Sequence, residues 1–127
     1  MLYLLRHAES APTPDTPEPD WPLSETGEKQ AHALAERLAG RRIAAVYSSP
    51  YRRAVETVRP FAQARGLPIR TDERLRERRL TDQWLDDHQA AVRRVWSDFD
   101  LALPGGESSA AAQKRVVASV GDLQTRH

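Results

Sequence analysis

Arg6 and His7 stand side by side at the end of a short apolar run, Leu2-Tyr3-Leu4-Leu5. A guanidinium is a permanent cation shaped to grip an oxyanion, and a neutral imidazole offers a lone pair near neutral pH. The run lacks helical spacing and reads as an interior strand buried on both faces. In open α/β sheets, ligands bind beyond the carboxyl ends of the strands. Arg6 and His7 are therefore expected where a ligand would sit. The plain alternative is a core or rim histidine satisfied by a backbone group; Arg6 together with the motifs further along the chain argues against it. His32 and His88 fall in helical stretches and read as surface histidines. The chain has no cysteine, which excludes disulfides, thiolate catalysis and Cys-based zinc sites.

The elements that must position these groups follow in order. Residues 11 to 22 hold Pro12, Pro14, Pro17, Pro19 and Pro22 with several acids, so they read as an extended, exposed loop. Its place beside the first strand suits a rim or lid, but it reads first as a plain linker. Ser24 is a helix N-cap, with Glu25 and Glu28 in the first turn and Ala31, Leu34, Ala35 and Leu38 on one stripe. Gly40 ends that helix. Ile43 to Tyr47 is a second strand. Pro50 opens a helix carrying Ala54, Val55, Val58, Phe61 and Ala62, which Pro60 should kink and Gly66 should stop. Leu67 to Thr71 is a third strand. Gln83 to Phe99 is helix-like, with Trp84, Leu85, Val92, Val95, Trp96 and Phe99 available for burial. Pro104-Gly105-Gly106 turns into a last helix with Ala112, Val116, Val120 and Leu123 on one side and Gly121 weakening it late.

With 127 residues, 39% hydrophobic and 29% charged, the chain suits one soluble domain, residues 1–127, with a core. Lys and Arg number 19 against 18 Asp and Glu, a net charge of +1. No broad field therefore favours nucleic acid or a membrane surface. The clusters Arg41-Arg42, Arg52-Arg53 and Arg76 to Arg79 read as solvated charge offset by nearby acids. No signal peptide or membrane span is visible, and a reducing cytoplasm is the expected compartment.

Several segments together resemble the histidine phosphatase (phosphoglycerate-mutase-like) superfamily. They are Leu4-Leu5-Arg6-His7-Ala8-Glu9-Ser10, then Pro22-Leu23-Ser24-Glu25-Thr26-Gly27 with Gln30-Ala31. Next come Tyr47-Ser48-Ser49-Pro50-Tyr51-Arg52-Arg53-Ala54 with Thr57, and Leu75-Arg76-Glu77-Arg78. The last is Pro104-Gly105-Gly106-Glu107-Ser108 with Arg115. Any one motif is weak; the ordered set spans nearly the whole chain. The resemblance implies a three-layer α/β/α sandwich with a mainly parallel central sheet. It implies phosphomonoester hydrolysis through a phosphohistidine on His7. Arg6 and Arg53 would bind the phosphoryl oxygens, Arg53 being chosen over Arg52 because the family's arginine directly precedes an alanine. Glu77 would supply the leaving group's proton, a solvated loop acid being the plain alternative. No cofactor and no metal is implied, since the arginines take the electrostatic role. The substrate would be a small-molecule phosphate ester or a phosphoprotein.

Ala8 stands where the family usually has glycine, which puts the local backbone angle in question. Pro12 and Pro14 occupy the neighbourhood where the family's mutases carry an asparagine, which favours a phosphatase over a mutase-type phosphotransferase. The family also has a second catalytic histidine, at the end of an apolar strand after the final helix. His127 has no such strand before it and does not fit that role. The chain is thus expected to lack the family's last strand and helix. An open sheet edge would then invite pairing into a homodimer and leave the protein marginally stable. Such a chain would bind phosphate weakly and turn over slowly or not at all, so a catalytically impaired or non-catalytic phosphate-binding module is the rival reading.

Overall fold

The computed structural model describes residues 1–127. The chain is α/β and divides into two compact units, Met1–Glu73 and Arg74–His127. The first holds α1 (Glu25–Leu38), β1 (Val46–Ser48), α2 (Arg52–Arg65) and β2 (Ile69–Thr71). The second holds α3 (His88–Ser97) and α4 (Ser109–Arg126). No helix is long and apolar enough to cross a membrane.

In the first unit the two strands pair in parallel, with Val46 opposite Ile69 and Ser48 opposite Thr71. Helix α1 starts where expected: the Ser24 side chain accepts from the Gly27 N–H at 3.0 Å, satisfying one of the donors a helix start leaves open. Its stripe packs against α2 around Leu38, Val46, Val58, Phe61 and Ala62, with Leu34, Ile43 and Leu67 at the margin. Gly66 ends α2 in the left-handed conformation, φ 63°, which glycine adopts without steric cost. Pro60 lies within α2, which is continuous from Arg52 to Arg65. Its missing N–H removes a single ladder bond, and buried Phe61 and Ala62 hold the turn that follows.

The first strand is a correction. Residues 2–5 form no strand, and Leu2, Leu4 and Leu5 are 46%, 76% and 45% exposed. An apolar run states the environment a strand needs; a ladder partner must supply it. The only ladder here joins β1 to β2, and residues 2–5 pair with neither strand. The second and third strands are also shorter than the spacing suggests.

In the second unit, the helix expected over residues 83–99 begins only at His88. The Asp87 side chain accepts from the Ala90 N–H at 2.9 Å and caps it there. Trp84 falls before that start and is exposed, as are Trp96 and Phe99, while Val95 is buried. Helix α4 is capped by Ser108, whose side chain accepts from the Ala111 N–H. Ser119 and Leu123 are buried along it.

Arg115 of α4 is the hub of this unit. Its Nε donates to Glu107 Oε2 at 3.0 Å, and its Nη2 donates to Glu107 Oε1. Its Nη1 donates to the carbonyls of Arg74 at 2.9 Å and Arg76 at 2.6 Å. The Arg115 hydrogen bond, helped by the Arg115 and Arg76 charges and opposed by burial, holds the Glu107 carboxyl below its usual pKa. A lowered native pKa means stability that is present above the ordinary carboxylate range and lost as pH falls through the native value.

Two stability outcomes follow. Glu107→Gln should cost about 1–3 kcal/mol at pH 7, the worth of hydrogen bonds to a charged group. It should also flatten the loss of stability below about pH 5. Urea unfolding of both proteins at pH 7 and at pH 4 tests this, and equal midpoints at pH 7 would show the ion pair to be idle. In the first unit, Phe61→Ala should cost about 3–5 kcal/mol, as for other large buried aromatic truncations; a loss under about 1 kcal/mol would mean that the α1–α2 core is not the stabilising one.

Candidate active site

His7 is half-buried at the mouth of an open depression of about 440 Å³ lined by Arg6, Ala8, Glu9, Ser10, Pro12 and Gln30. A second depression, of about 320 Å³, shares Arg6 and His7 and reaches Thr57 and Arg37. The His7 Nδ1 lies 2.6 Å from the carbonyl oxygen of Ala8. A carbonyl can only accept, so this hydrogen bond requires the proton on Nδ1. In neutral His7 the lone pair then sits on Nε2. Arg6 is exposed beside it.

The backbone around His7 is held by side chains instead of a strand ladder. The buried Ala8 N–H donates to Thr57 Oγ1 at 2.9 Å, and Thr57 Oγ1 donates to the Arg53 carbonyl at 2.7 Å. The Glu9 N–H donates to Gln30 Oε1, and the Glu9 carbonyl accepts from the Ser24 N–H, both at 2.9 Å. Gly27 is needed here, because a Cβ would collide with the Glu9 carbonyl. The doubt over Ala8 is resolved: only Gly66 and Gly105 have positive φ, so Ala8 carries no backbone strain of that kind.

Arg52 and Arg53 part company. Arg52 lies at the surface and bonds Glu56 Oε1 at 2.7 Å. Arg53 is only 3% exposed. Its guanidinium carbon lies 4.9 Å from the centre of the Tyr51 ring and 5.8 Å from that of Trp21. Its Nη1 donates to the Glu18 carbonyl at 2.9 Å and its Nη2 to Glu18 Oε1 at 3.2 Å.

The proline-rich segment is thus not a plain linker. Ser10 and Leu23 bridge its ends antiparallel, and the Ala11 N–H donates to the Pro22 carbonyl. Inside it, Glu18–Asp20 form a 3₁₀ turn, and the Trp21 indole donates to the carbonyls of Thr16 and Thr13. The Leu23 N–H anchors its far end on Glu56 Oε2 at 2.8 Å. Burial raises the Glu56 pKa, but the Leu23 N–H together with Arg52 and Arg59 leaves it below its usual value. Prolines denied helix and sheet, as the composition implies, yet the segment closes on itself and reaches Arg53.

Glu77 is exposed in the second unit. Arg115 binds the backbone on its approach, through the Arg74 and Arg76 carbonyls and the Glu77 carbonyl at 3.4 Å. His127 closes the C-terminal end of α4, with no strand before it in the second unit, and His32 and His88 are exposed. The structure therefore joins His7, Arg6 and the α2 turn bearing Arg53 in the first unit. The sequence alone gave no role to Thr57, Gln30, Glu18 or Arg115. Thr57, Gln30 and Arg115 lay in motif segments, which was a usable signal; Glu18 lay in a segment whose composition announces only an absence of regular structure.

The model of the histidine phosphatase superfamily (branch 1) matches residues 2–127. Phosphoserine phosphatase 1 of Hydrogenobacter thermophilus is 32% identical over 139 residues, covering 99% of this chain and 65% of that protein. A probable phosphoglycerate mutase, GpmB of Yersinia pestis, is 31% identical over 94% of this chain and 60% of its own length. A mycobacterial glucosyl-3-phosphoglycerate phosphatase, solved in complex with inorganic phosphate, superposes with a TM-score of 0.77 at 34% identity, over 94% of this chain and 60% of that one. The chain spans less than two thirds of the length of these relatives. With its motifs in order along residues 2–127, the chain belongs to the histidine phosphatase superfamily, branch 1.

Proposed function

We propose that this chain carries the phosphate-handling site of a metal-independent phosphomonoesterase that works through a phosphohistidine on His7, its two units serving one catalytic domain in the cytoplasm. The observation that carries the reading is the His7 ring itself. Its Nδ1 is committed to the Ala8 carbonyl, which leaves Nε2 as the nucleophilic atom beside an open depression and next to Arg6.

The chemistry then runs in two displacements. A phosphate monoester brings close to two negative charges at neutral pH. Arg6 and Arg53 would hold its non-bridging oxygens, Arg53 with the planar fork that suits them. Nε2 of His7 attacks phosphorus in line, and the bond to the leaving oxygen breaks as Glu77 gives it a proton. A water then attacks the phosphohistidine and hands its proton to Glu77. The products are the free alcohol and inorganic phosphate, and His7 is restored. A small-molecule phosphate ester or a phosphoprotein fits this scheme. Pro12 and Pro14 beside the His7 segment favour hydrolysis over mutase-type transfer.

Incubation of the protein with an aryl phosphate in chelator-treated buffer tests the scheme. Acid-labile phosphate should be trapped on the peptide containing His7, and His7→Ala should abolish both trapping and turnover. Trapping that persists in His7→Ala, or that vanishes with chelator alone, would sink it. Glu77→Gln should slow esters with poor leaving groups by about 10²–10⁴-fold while sparing good ones, since only the former need the proton. Equal losses for both would give Glu77 a structural role.

A further inference from the structure

Arg53 is a nearly buried cation, and a buried cation needs an anionic or polar partner. Glu18 meets it twice: backbone carbonyl on Nη1 and carboxylate on Nη2. Two acceptor oxygens on two guanidinium nitrogens are what a phosphoryl group would supply. The aromatic rings of Tyr51 and Trp21 lie against the same guanidinium. Glu18 is not a core residue placed by packing; it belongs to a closed arm, residues 11–22, whose ends are pinned by the Ser10–Leu23 bridge. Its own side chain is about a quarter exposed, at 26%, so water reaches it and the pair can exchange.

We propose that Glu18 is a built-in carboxylate competitor for the phosphate-binding edge of Arg53, and that a phosphoryl ligand binds there by displacing the arm that carries it. The inference rests on the reading of Arg53 as a phosphate ligand. The arm moves as a body, because the Trp21 indole ties it to the Thr13 and Thr16 carbonyls and Pro17 and Pro19 stiffen it on either side of Glu18. A ligand with close to two charges outcompetes one carboxylate at a fixed cation, whereas a singly charged anion holds no such advantage. Glu18 thereby selects for phosphate monoesters and keeps Arg53 neutralised between ligands.

A site that is open for only a fraction of the time binds more weakly by that fraction. Glu18→Gln and Glu18→Ala should each tighten inorganic phosphate binding, and a gain of about tenfold would correspond to an arm seated about nine-tenths of the time in the wild type. The titration uses the whole chain, read by calorimetry and by the Trp21 indole N–H resonance, assigned with Trp21→Phe. Phosphate should move that resonance in the wild type towards its position in ligand-free Glu18→Ala. In an Arg53→Ala background, Glu18→Gln should have no effect on affinity. Glu18→Gln keeps a side chain of the same shape, so it reports even if Glu18→Ala loosens the fold. Unchanged or weaker phosphate binding in Glu18→Gln, with binding lost in Arg53→Ala, would overturn the competitor reading and leave Arg53 as a phosphate ligand. Wild-type affinity in Arg53→Ala would overturn the phosphate reading of Arg53 and this inference with it.

Discussion

The hydrogen bond from the Ala8 N–H to Thr57 Oγ1 carries more of this site than its length suggests. It is buried, and an unpaired buried donor costs about 1–3 kcal/mol. Thr57 lies one helical turn after Arg53, and its hydroxyl donates a hydrogen bond to the Arg53 carbonyl. A single hydroxyl thus ties the residue after His7 to the turn that bears the guanidinium. Glu9, the next residue, is fastened to α1 through Gln30 and Ser24. Two consecutive residues are pinned to two helices, and His7 is presented at the end of a segment that has no ladder of its own. Threonine suits this position because its hydroxyl accepts from one backbone group while donating to another.

The arginines divide by what surrounds them. Arg52 and Arg6 meet solvent, where an ion pair adds little. Arg53 and Arg115 are largely withdrawn from water, and each is met by several acceptors. Arg115 spends its donors on main-chain carbonyls and on Glu107, a fixed arrangement within one unit that shapes the approach to Glu77. Arg53 spends its donors on a loop. The first arrangement is scaffolding, because it ties the carbonyls of Arg74 and Arg76 to a helix of the same unit. The second can be exchanged for a ligand of the same geometry and greater charge.

Local signals were read well where one residue decides the outcome. Ser24 caps α1 by accepting a backbone N–H, and Gly66 stops α2 through its own left-handed φ. Arg53 was separable from Arg52 because it directly precedes Ala54, as the arginine of the resembled family precedes an alanine; consecutive helical positions point about 100° apart, and Arg53 is the one that is buried. Non-local outcomes were not legible. Leu2 to Leu5 carry the composition of a buried strand, but burial depends on residues far away in the chain. The start of α3 moved five residues because Asp87 outcompeted the apolar spacing before it. Glu18 could not be picked from its neighbours, since nothing in a proline-rich stretch says which acid will meet a buried cation.

The two halves of the chemistry therefore answer to different parts of the chain. The tautomer of His7 is set by its immediate neighbour, the Ala8 carbonyl, through a contact that needs only the local turn of the backbone. On the proposed reading, residues 11–22 govern the share of charge that Arg53 offers a phosphate, because they carry Glu18, which meets its guanidinium. Changes in that arm alter the electrostatics around phosphorus without touching the nucleophile. A substitution there should shift which anions bind and how tightly, while a substitution near Ala8 would disturb the direction of the lone pair itself. Proline-rich composition suits the arm's role: it keeps the arm out of a long helix or a sheet, where its hydrogen bonds would commit it, and leaves it held by its ends, by the Trp21 indole and by its contacts with Arg53.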